Sequence, residues 1–430
     1  MLVMKNTLQK NNVKSDQSKH QLMVLIGGTV LIGIVVGLSS LFLGLLLEYV
    51  EQLFLNYEET VWQPAPTGTI PVRRLFSVLI GSVIAAVIWW FLRTKTKPTV
   101  GITKALSGEK MPFWQTILHV MTQIFYVGTG GSVGRELAPR EAGAMLAQKV
   151  GSAFEKFSLP QLSSDDRKLL IASAAGAGFA GIYIAPITGM FFCTEILLKK
   201  MTVRTVTVSL SMSTIAMLIG SIAKGFKPYY LVGDAKLSVA TLLVVLVIAP
   251  LCGIAGSLFR KLCQWAEKNQ TRKNNILWQL PMMGLTTGLI SIIFPEVMGN
   301  GRSLAQLAIN SEGFLSVSLL LLGALTKMVV TVLTIRFGAA GGTLTPAIAI
   351  GAVLGAFIGS FLLYLVPGIP MWEVVILGAA TLLAASQQAP LMALFMIFEI
   401  CHLNYAMLLP LGLGVLISIV ISRKVLGQFN

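Results

Sequence analysis

The chain of 430 residues is 55% hydrophobic and only 12% charged, with a mean hydropathy of +0.78. A soluble fold of this length cannot hide so much apolar surface, so the composition excludes an ordinary soluble domain and indicates a polytopic membrane protein. The net charge is +15, but no stretch predicts the folded basic surface that nucleic-acid binding requires. We therefore expect no nucleic-acid partner and treat the positive charge as a topology signal.

Residues 1–21 form a polar, lysine-rich N-terminal segment in front of the first apolar stretch. The segment has no pattern of a cleavable signal peptide. Positively charged loops remain on the cytoplasmic side of a membrane. The sequence thus predicts a multi-pass protein of the cell membrane with a cytoplasmic N-terminus.

Apolar segments divide the rest of the chain into two series. Residues 22–224 form a first membrane half, residues 225–236 a polar connection, and residues 237–430 a second membrane half. Spans are predicted near 22–50, 73–93, 113–128, 140–155, 168–182, 186–200, 203–224, 237–267, 275–295, 314–337, 346–366, 372–385, 389–402 and 405–423. Several of these are too short to cross a hydrocarbon core of about 30 Å.

One sequence unit occurs twice. The Gly-rich run Gly130–Pro139 is followed by the pair Ala185–Pro186, and the run Gly341–Pro346 is followed by Ala389–Pro390. Interrupted hydrophobic segments in matching positions of two halves indicate where a transporter holds its substrate. The repeat therefore predicts a transporter or channel with its site between two related halves.

The glycine runs are suited to binding an anion. A helix N-terminus presents unpaired N–H groups and a partial positive charge, which together attract anions. Two such termini, at Gly134–Pro139 and Gly342–Pro346, can converge on one small ion without a cationic side chain. The alternative is that these glycines only allow close packing of helices, as in many membrane proteins.

Glu136 stands in the first glycine run, whereas the second run has no acid. An ionisable residue inside a membrane segment is costly and is functional by default. Its carboxylate would compete with an anion for the same amides, and protonation would release it, so one side chain can serve as gate and proton carrier. The alternative is that Glu136 pairs with Arg135 or Arg140 at a water-exposed helix start.

These motifs resemble those of the CLC family of chloride channels and chloride/proton antiporters. Gly134–Pro139 is similar to the family's GREGP motif, and Gly342–Pro346 is similar to its GxFxP motif. The resemblance spans about residues 22–424. It implies an all-α polytopic fold of two inverted repeats with tilted and broken helices, a homodimer in which each subunit has its own pore, and no cofactor.

The resemblance also implies roles for individual residues. Glu136 matches the gating and proton-transferring glutamate. The expected anion-binding residues are Gly134, Arg135, Glu136, Leu137, Gly342, Thr343, Leu344, Thr345, Val100 and Gly101. Transport of small inorganic anions, with chloride first, is the function that follows.

The chain departs from the family pattern at several places. One extra residue precedes Pro139, and Val100 replaces a serine that contacts the anion. The pore tyrosine of the family's last helix has no counterpart, so the central site is expected to rest on backbone amides alone. Ile196 stands where antiporters often carry an internal proton acceptor.

Secondary candidates are Glu195, Glu399 and Lys327. The two glutamates lie nine positions after the prolines of the Ala-Pro pairs, and we expect them to cap or brace helices near the aqueous ends. Lys327 can attract anions, or it can extend its amine to the interface with its stem in lipid.

Proton-coupled exchange and passive chloride conduction both fit the sequence, and the retained gating acid favours exchange. Fluoride is a weaker expectation. A non-transporting scaffold or an intramembrane enzyme is the remaining alternative, but an enzyme needs a nucleophile–base pair or metal ligands. The only histidine near a pore motif, His119, has no partner that the sequence reveals, and the four cysteines are expected to be free and buried.

Overall fold

The computed structural model describes residues 2–156, 162–234 and 238–428, with side chains from residue 19 onward except at position 224. Within these ranges the secondary structure is helical, apart from one isolated backbone bridge. The all-α prediction is confirmed. All four cysteines are free and buried.

Eight α-helices precede residue 225 in the described chain and eight follow it. The first eight are α1 (Leu2–Leu55), α2 (Pro71–Thr94), α3 (Ile102–Leu106), α4 (Phe113–Gly128), α5 (Leu137–Lys156), α6 (Ser164–Tyr183), α7 (Pro186–Phe191, continued by a π-helical turn Phe192–Leu197) and α8 (Val203–Lys224). The second eight are α9 (Val239–Lys268), α10 (Ile276–Ile290), α11 (Arg302–Ile309), α12 (Phe314–Arg336), α13 (Leu344–Leu365), α14 (Met371–Gln387), α15 (Pro390–Ile400) and α16 (Leu408–Val425).

Seven of these helices are long and apolar enough to cross a membrane: α1, α2, α8, α9, α12, α13 and α16. Four shorter apolar helices lie between them: α7 with its π-turn, α10, α14 and α15. Short helices at membrane depth are tolerated where protein covers their ends. This mixture of full spans and broken helices is the predicted architecture of a multi-pass membrane protein.

The two halves break their helices in the same way. α6 is followed by Ile184 and α14 by Gln388, and these two residues adopt the left-handed conformation with φ near 57° and 56°. In each half an Ala-Pro pair then starts the next helix with proline at its first position, where proline needs no N–H donor. The repeated unit in the sequence is therefore a repeated unit of backbone structure.

The helix ends define two faces of the protein. The face that we call the lysine-rich face carries the connections from α2 to α4 and from α9 to α10, and the ends of α7 and α16. Its charged residues include Lys95, Lys97, Lys104, Lys110, Lys199, Lys200, Arg272, Lys273, Arg423 and Lys424. The opposite face carries the connections from α1 to α2 and from α8 to α9.

Close packing of α5 against α6 depends on glycine. A Cβ at Gly178 would fall on the backbone carbonyl of Pro139, which cannot rotate away, and a Cβ at Gly143 would fall on that of Ala174. We expect Gly178→Ala to destabilise the protein by about 1–3 kcal/mol, the usual cost of overpacking. At Gly151, which lies on α5 like Gly143, an added methyl group meets no atom within 4 Å.

The measurement is the apparent melting temperature of detergent-solubilised protein, with Gly151→Ala as the matched control. Gly178→Ala should melt clearly lower than the wild type, and Gly151→Ala should not. Equal melting temperatures for the two variants would contradict the packing described for α5 and α6.

Candidate functional site

The two glycine runs pair with each other at the contact between the halves. The N–H of Gly134 donates to the carbonyl of Gly342 at 2.7 Å, and the N–H of Gly342 donates to the carbonyl of Gly134 at 2.8 Å. This bridge is the one β-type pairing in the described chain. It places the N-termini of α5 and α13, one from each half, beside each other.

The Glu136 carboxylate lies across this contact and is fully buried. Its Oε1 accepts the backbone N–H of Leu344 at 2.6 Å, in the first turn of α13. Its Oε2 accepts the hydroxyl of Thr345 at 3.2 Å and lies 3.5 Å from the hydroxyl of Tyr183. A carboxylate from the first half thus occupies the helix N-terminus of the second half, where the helix dipole favours negative charge.

The remaining predicted anion-binding residues belong to three segments, at the start of α5, before α13 and before α3. Leu137 is the first residue of α5, and Thr343 is the residue that precedes α13. Gly101 precedes α3 and lines a cavity at the lysine-rich face. Among the described hydrogen bonds of the Glu136 carboxylate, none comes from Val100 or Gly101. The structure therefore joins the two glycine runs but leaves the 100–101 loop outside that contact.

The arginine neighbours of Glu136 face other partners. The buried Arg135 guanidinium lies 3.6 Å from Glu59 and stacks over the rings of Tyr183 and Tyr229. Arg140 donates to the backbone carbonyl of Glu136 at 2.8 Å and not to its carboxylate. The alternative of a surface ion pair between Glu136 and an arginine is thus wrong, because the carboxylate is buried on α13.

Tyr183 belongs to the candidate site by its contacts, and the sequence did not predict it. We expected a site of backbone amides alone, because the last helix supplies no tyrosine. The structure places the Tyr183 hydroxyl, from the end of α6, 2.9 Å from the Thr345 hydroxyl and beside Glu136. A signal was present in the repeat, since Gln387 stands at the same distance before the second Ala-Pro pair and reaches Thr343 at 3.5 Å.

Glu195 and Glu399 cap helices reciprocally. Glu399 accepts the backbone N–H groups of Ile187 and Thr188 at 2.8 and 2.7 Å, at the start of α7. Glu195 accepts those of Leu391 and Met392 at 3.1 and 2.8 Å, at the start of α15. The two acids hold the broken helices of the two halves together, which is the capping role favoured from the sequence.

Lys327 does not extend its amine to the interface, which was one of the two roles expected from the sequence; the other, attraction of anions, stays a prediction. Its side chain is fully buried in α12 and neither extends to an interface nor contacts the Glu136 carboxylate. Its ammonium donates to the carbonyls of Val297 and Gly299, in the loop before α11. We conclude that Lys327 braces this loop, since the carbonyls compensate part of the cost of burying the charge.

His119 has partners that the sequence did not reveal. Its Nδ1 accepts the indole N–H of Trp89 at 3.1 Å, and its Nε2 lies 3.5 Å from the Glu141 carboxylate. Both His119 and Glu141 line a cavity of about 710 Å³ at the lysine-rich face. The other residues in its wall are Arg93, Pro98, Thr99, Gly101, Ile102, Thr103, Lys104, Leu137, Glu267, Gln270, Arg272, Ile335, Ala339, Ala340 and Gly341.

Two inverted helical halves with broken helices that meet at the N-termini of α5 and α13 are the architecture of a secondary transporter or of a channel derived from one. Among the described residues there is no group of His, Cys, Asp and Glu side chains that could hold a metal ion.

Comparison with known proteins identifies the family. The profile of the voltage gated chloride channel family matches residues 80–423, and the chain belongs to this family. The voltage-gated ClC-type chloride channel ClcB of Salmonella typhi is 28% identical over 411 residues, which cover 91% of this chain and 94% of the relative. ClcB of Escherichia coli O81 (strain ED1a) is 30% identical over 389 residues, which cover 87% and 89% of the two chains.

Solved structures share the fold. The crystal structure of a slow cyanobacterial Cl⁻/H⁺ antiporter matches with a TM-score of 0.77 at 20% identity, covering 94% of this chain and 95% of the other. A CLC-type fluoride/proton antiporter matches with a TM-score of 0.68 at 20% identity, covering 94% and 96%. The predicted CLC resemblance and fold are confirmed, and a family of channels and antiporters leaves the enzyme and scaffold alternatives without support.

Proposed function

We propose that this protein moves small inorganic anions, chloride first, across a membrane in exchange for protons. The observation that supports the proposal most directly is the position of the Glu136 carboxylate at the N-terminus of α13. Its oxygens accept the Leu344 N–H and the Thr345 hydroxyl. These oxygens stand where a bound anion would accept the same hydrogen bonds.

Protonation of Glu136 supplies the coupling. The ionised carboxylate makes charge-assisted hydrogen bonds, which are about twice as strong as neutral ones. A protonated carboxyl group loses that advantage, leaves the amide of Leu344, and makes room for chloride. Chloride then takes the N–H of Leu344 and the hydroxyls of Thr345 and Tyr183. Because the N-terminus of α13 binds either the ionised side chain or the anion, protons and anions move in opposite directions.

Passive chloride conduction is the second candidate. The curated relatives are named chloride channels, and Ile196 offers no proton acceptor after Glu195. The solved neighbours are named antiporters for chloride and for fluoride, which supports exchange and keeps fluoride among the ions to be tested.

The same reasoning supports an orientation and an assembly. The concentration of Lys and Arg on the lysine-rich face favours a cytoplasmic location for that face, and for the N-terminus, in a cell membrane. Homodimerisation is an expectation from the family. Cross-linking in native membranes tests it, and recovery of monomer alone would contradict it.

The test of function is ion movement in liposomes reconstituted with purified wild-type protein. Chloride efflux is started with valinomycin while a chloride electrode and a pH electrode record in parallel, and fluoride and nitrate are compared. Chloride efflux that drives proton uptake supports exchange. Chloride efflux without proton movement supports conduction, and no anion movement would contradict both candidates.

A further inference from the structure

We propose that Glu141 is the group that passes protons between the lysine-rich face and Glu136, with His119 and Gln123 as its positioning residues. This inference rests on the proposed proton-coupled function and names the residue on which the inner part of the proton route depends.

A relay is required because Glu136 has no exposed surface. Of the acids near the lysine-rich face, Glu195 is engaged as the cap of α15. Glu267 and Glu141 both line the cavity at that face, but Glu267 is exposed whereas Glu141 is only 9% exposed. Glu141 is therefore the acid that lies between the cavity and the protein interior.

Glu141 is also on the helix that begins beside Glu136. Glu141 stands five positions after Glu136, and five positions correspond to about 7.5 Å of rise in an α-helix. Arg140 lies between them and is held by the backbone carbonyl of Glu136. A distance of this size can be bridged by a short chain of water molecules or by movement of the released Glu136 side chain.

The Glu141 carboxylate is held by side chains from α4. The amide nitrogen of Gln123 donates to its Oε2 at 2.7 Å, and Nε2 of His119 lies 3.5 Å from the same atom. The amide oxygen of Gln123 is buried and has no hydrogen-bond partner in the described structure, and Gln123 itself is 1% exposed. A buried acceptor of this kind needs a donor, and water from the adjoining cavity is the donor that fits.

The geometry of His119 assigns the proton-accepting role to the acid. Since Nδ1 accepts the indole N–H of Trp89, a neutral ring carries its own proton on Nε2, facing Glu141. A second proton on Nδ1 would break the bond to Trp89 and place a buried cation near Arg93. The Glu141 carboxylate has free lone pairs and gains a neutral O–H group when it accepts a proton.

The proposed step is balanced. A hydronium ion in the cavity gives a proton to a Glu141 oxygen, an O–H bond forms, and the carboxylate becomes neutral. That proton then passes to the Glu136 carboxylate, and Glu141 returns to its ionised form. The charged groups around the pair are Arg140 on α5 and, in the cavity wall, Arg93 on α2, Lys104 on α3, Glu267 on α9 and Arg272 after α9. No co-reactant other than water is needed.

The test uses the full-length protein in liposomes, with chloride and proton movement recorded together. We expect Glu141→Gln to keep the hydrogen bond from α4 and to keep moving chloride, while proton movement falls at least tenfold. Glu141→Asp should restore proton movement, because it restores the acid. His119→Gln should alter the pH dependence of proton movement. Its control is His20→Gln, a change at an exposed histidine of α1.

The outcomes separate this inference from the proposed function. An unchanged chloride-to-proton ratio in Glu141→Gln would overturn the inference and leave exchange intact. A wild type that moves chloride without protons would overturn the inference and favour conduction, and a wild type that moves no anion would overturn the proposed function itself. If Glu141→Gln gives no folded protein, the other two variants still test the inference. Loss of proton movement in a folded Glu141→Asp protein would contradict it, and so would a pH profile of proton movement that His119→Gln leaves unchanged.

Discussion

Replacement of Glu136 by glutamine is expected to abolish proton movement and to strengthen chloride binding about tenfold or more. The carboxylate accepts the Leu344 N–H at the start of α13, and in the proposed mechanism its ionised form competes with chloride for that N–H. A hydrogen bond to a charged group contributes about 1.5–3 kcal/mol, and each 1.4 kcal/mol corresponds to a factor of about ten. An uncharged amide of the same size loses most of the free energy of that charge-assisted hydrogen bond, so chloride binds to the Leu344 N–H more often.

The sign of the pH dependence distinguishes this mechanism from a structural effect. In the wild type, chloride binding should strengthen as the pH falls, because protonation of Glu136 removes its competitor. In Glu136→Gln the binding should be strong and independent of pH. Isothermal titration of chloride into detergent-solubilised protein at several pH values measures both, with Glu109→Gln, at an exposed position of the lysine-rich face, as the control. Chloride binding that still depends on pH in Glu136→Gln would contradict the role of Glu136 as the competitor of chloride.

Much of the fold could be predicted because the chain repeats its own helix-breaking pattern. Prolines, glycines and apolar runs act locally, so they mark helix starts and ends in the sequence. The pairing of Gly134 with Gly342 also follows, since two related halves meet along equivalent segments.

Contacts between distant elements could not be predicted. The position of Tyr183 beside Glu136, and of Trp89 and Glu141 beside His119, depends on how α2, α4, α5 and α6 pack, and no local pattern encodes that. The burial of Lys327 likewise depends on a loop before α11 that turns its carbonyls inward. The motifs thus located the candidate site at the N-termini of α5 and α13, whereas the neighbouring residues Tyr183, His119 and Glu141 could be placed around it only by the tertiary structure.

Gly342→Ala is expected to displace the Glu136 side chain without removing its acid. A Cβ at Gly342 would fall on the Glu136 carboxylate, and the three nearest atoms all belong to that side chain. Gly342 is not among the described residues with positive φ, so alanine fits its backbone. The flexible glutamate must therefore move, and chloride binding should strengthen about as much as it does in Glu136→Gln, because the same charge-assisted bond of about 1.5–3 kcal/mol is lost.

A double-mutant comparison makes this prediction specific, since coupled residues show non-additive effects. In a Glu136→Ala background the new methyl group has no carboxylate to displace, so Gly342→Ala should leave chloride binding unchanged there. Gly27→Ala, where a methyl meets no atom within 4 Å, should leave binding unchanged in both backgrounds. An equal effect of Gly342→Ala with and without Glu136 would mean that the methyl group acts on the Gly134–Gly342 pairing. That result would contradict the proposal that the Glu136 carboxylate competes with chloride at the N-terminus of α13.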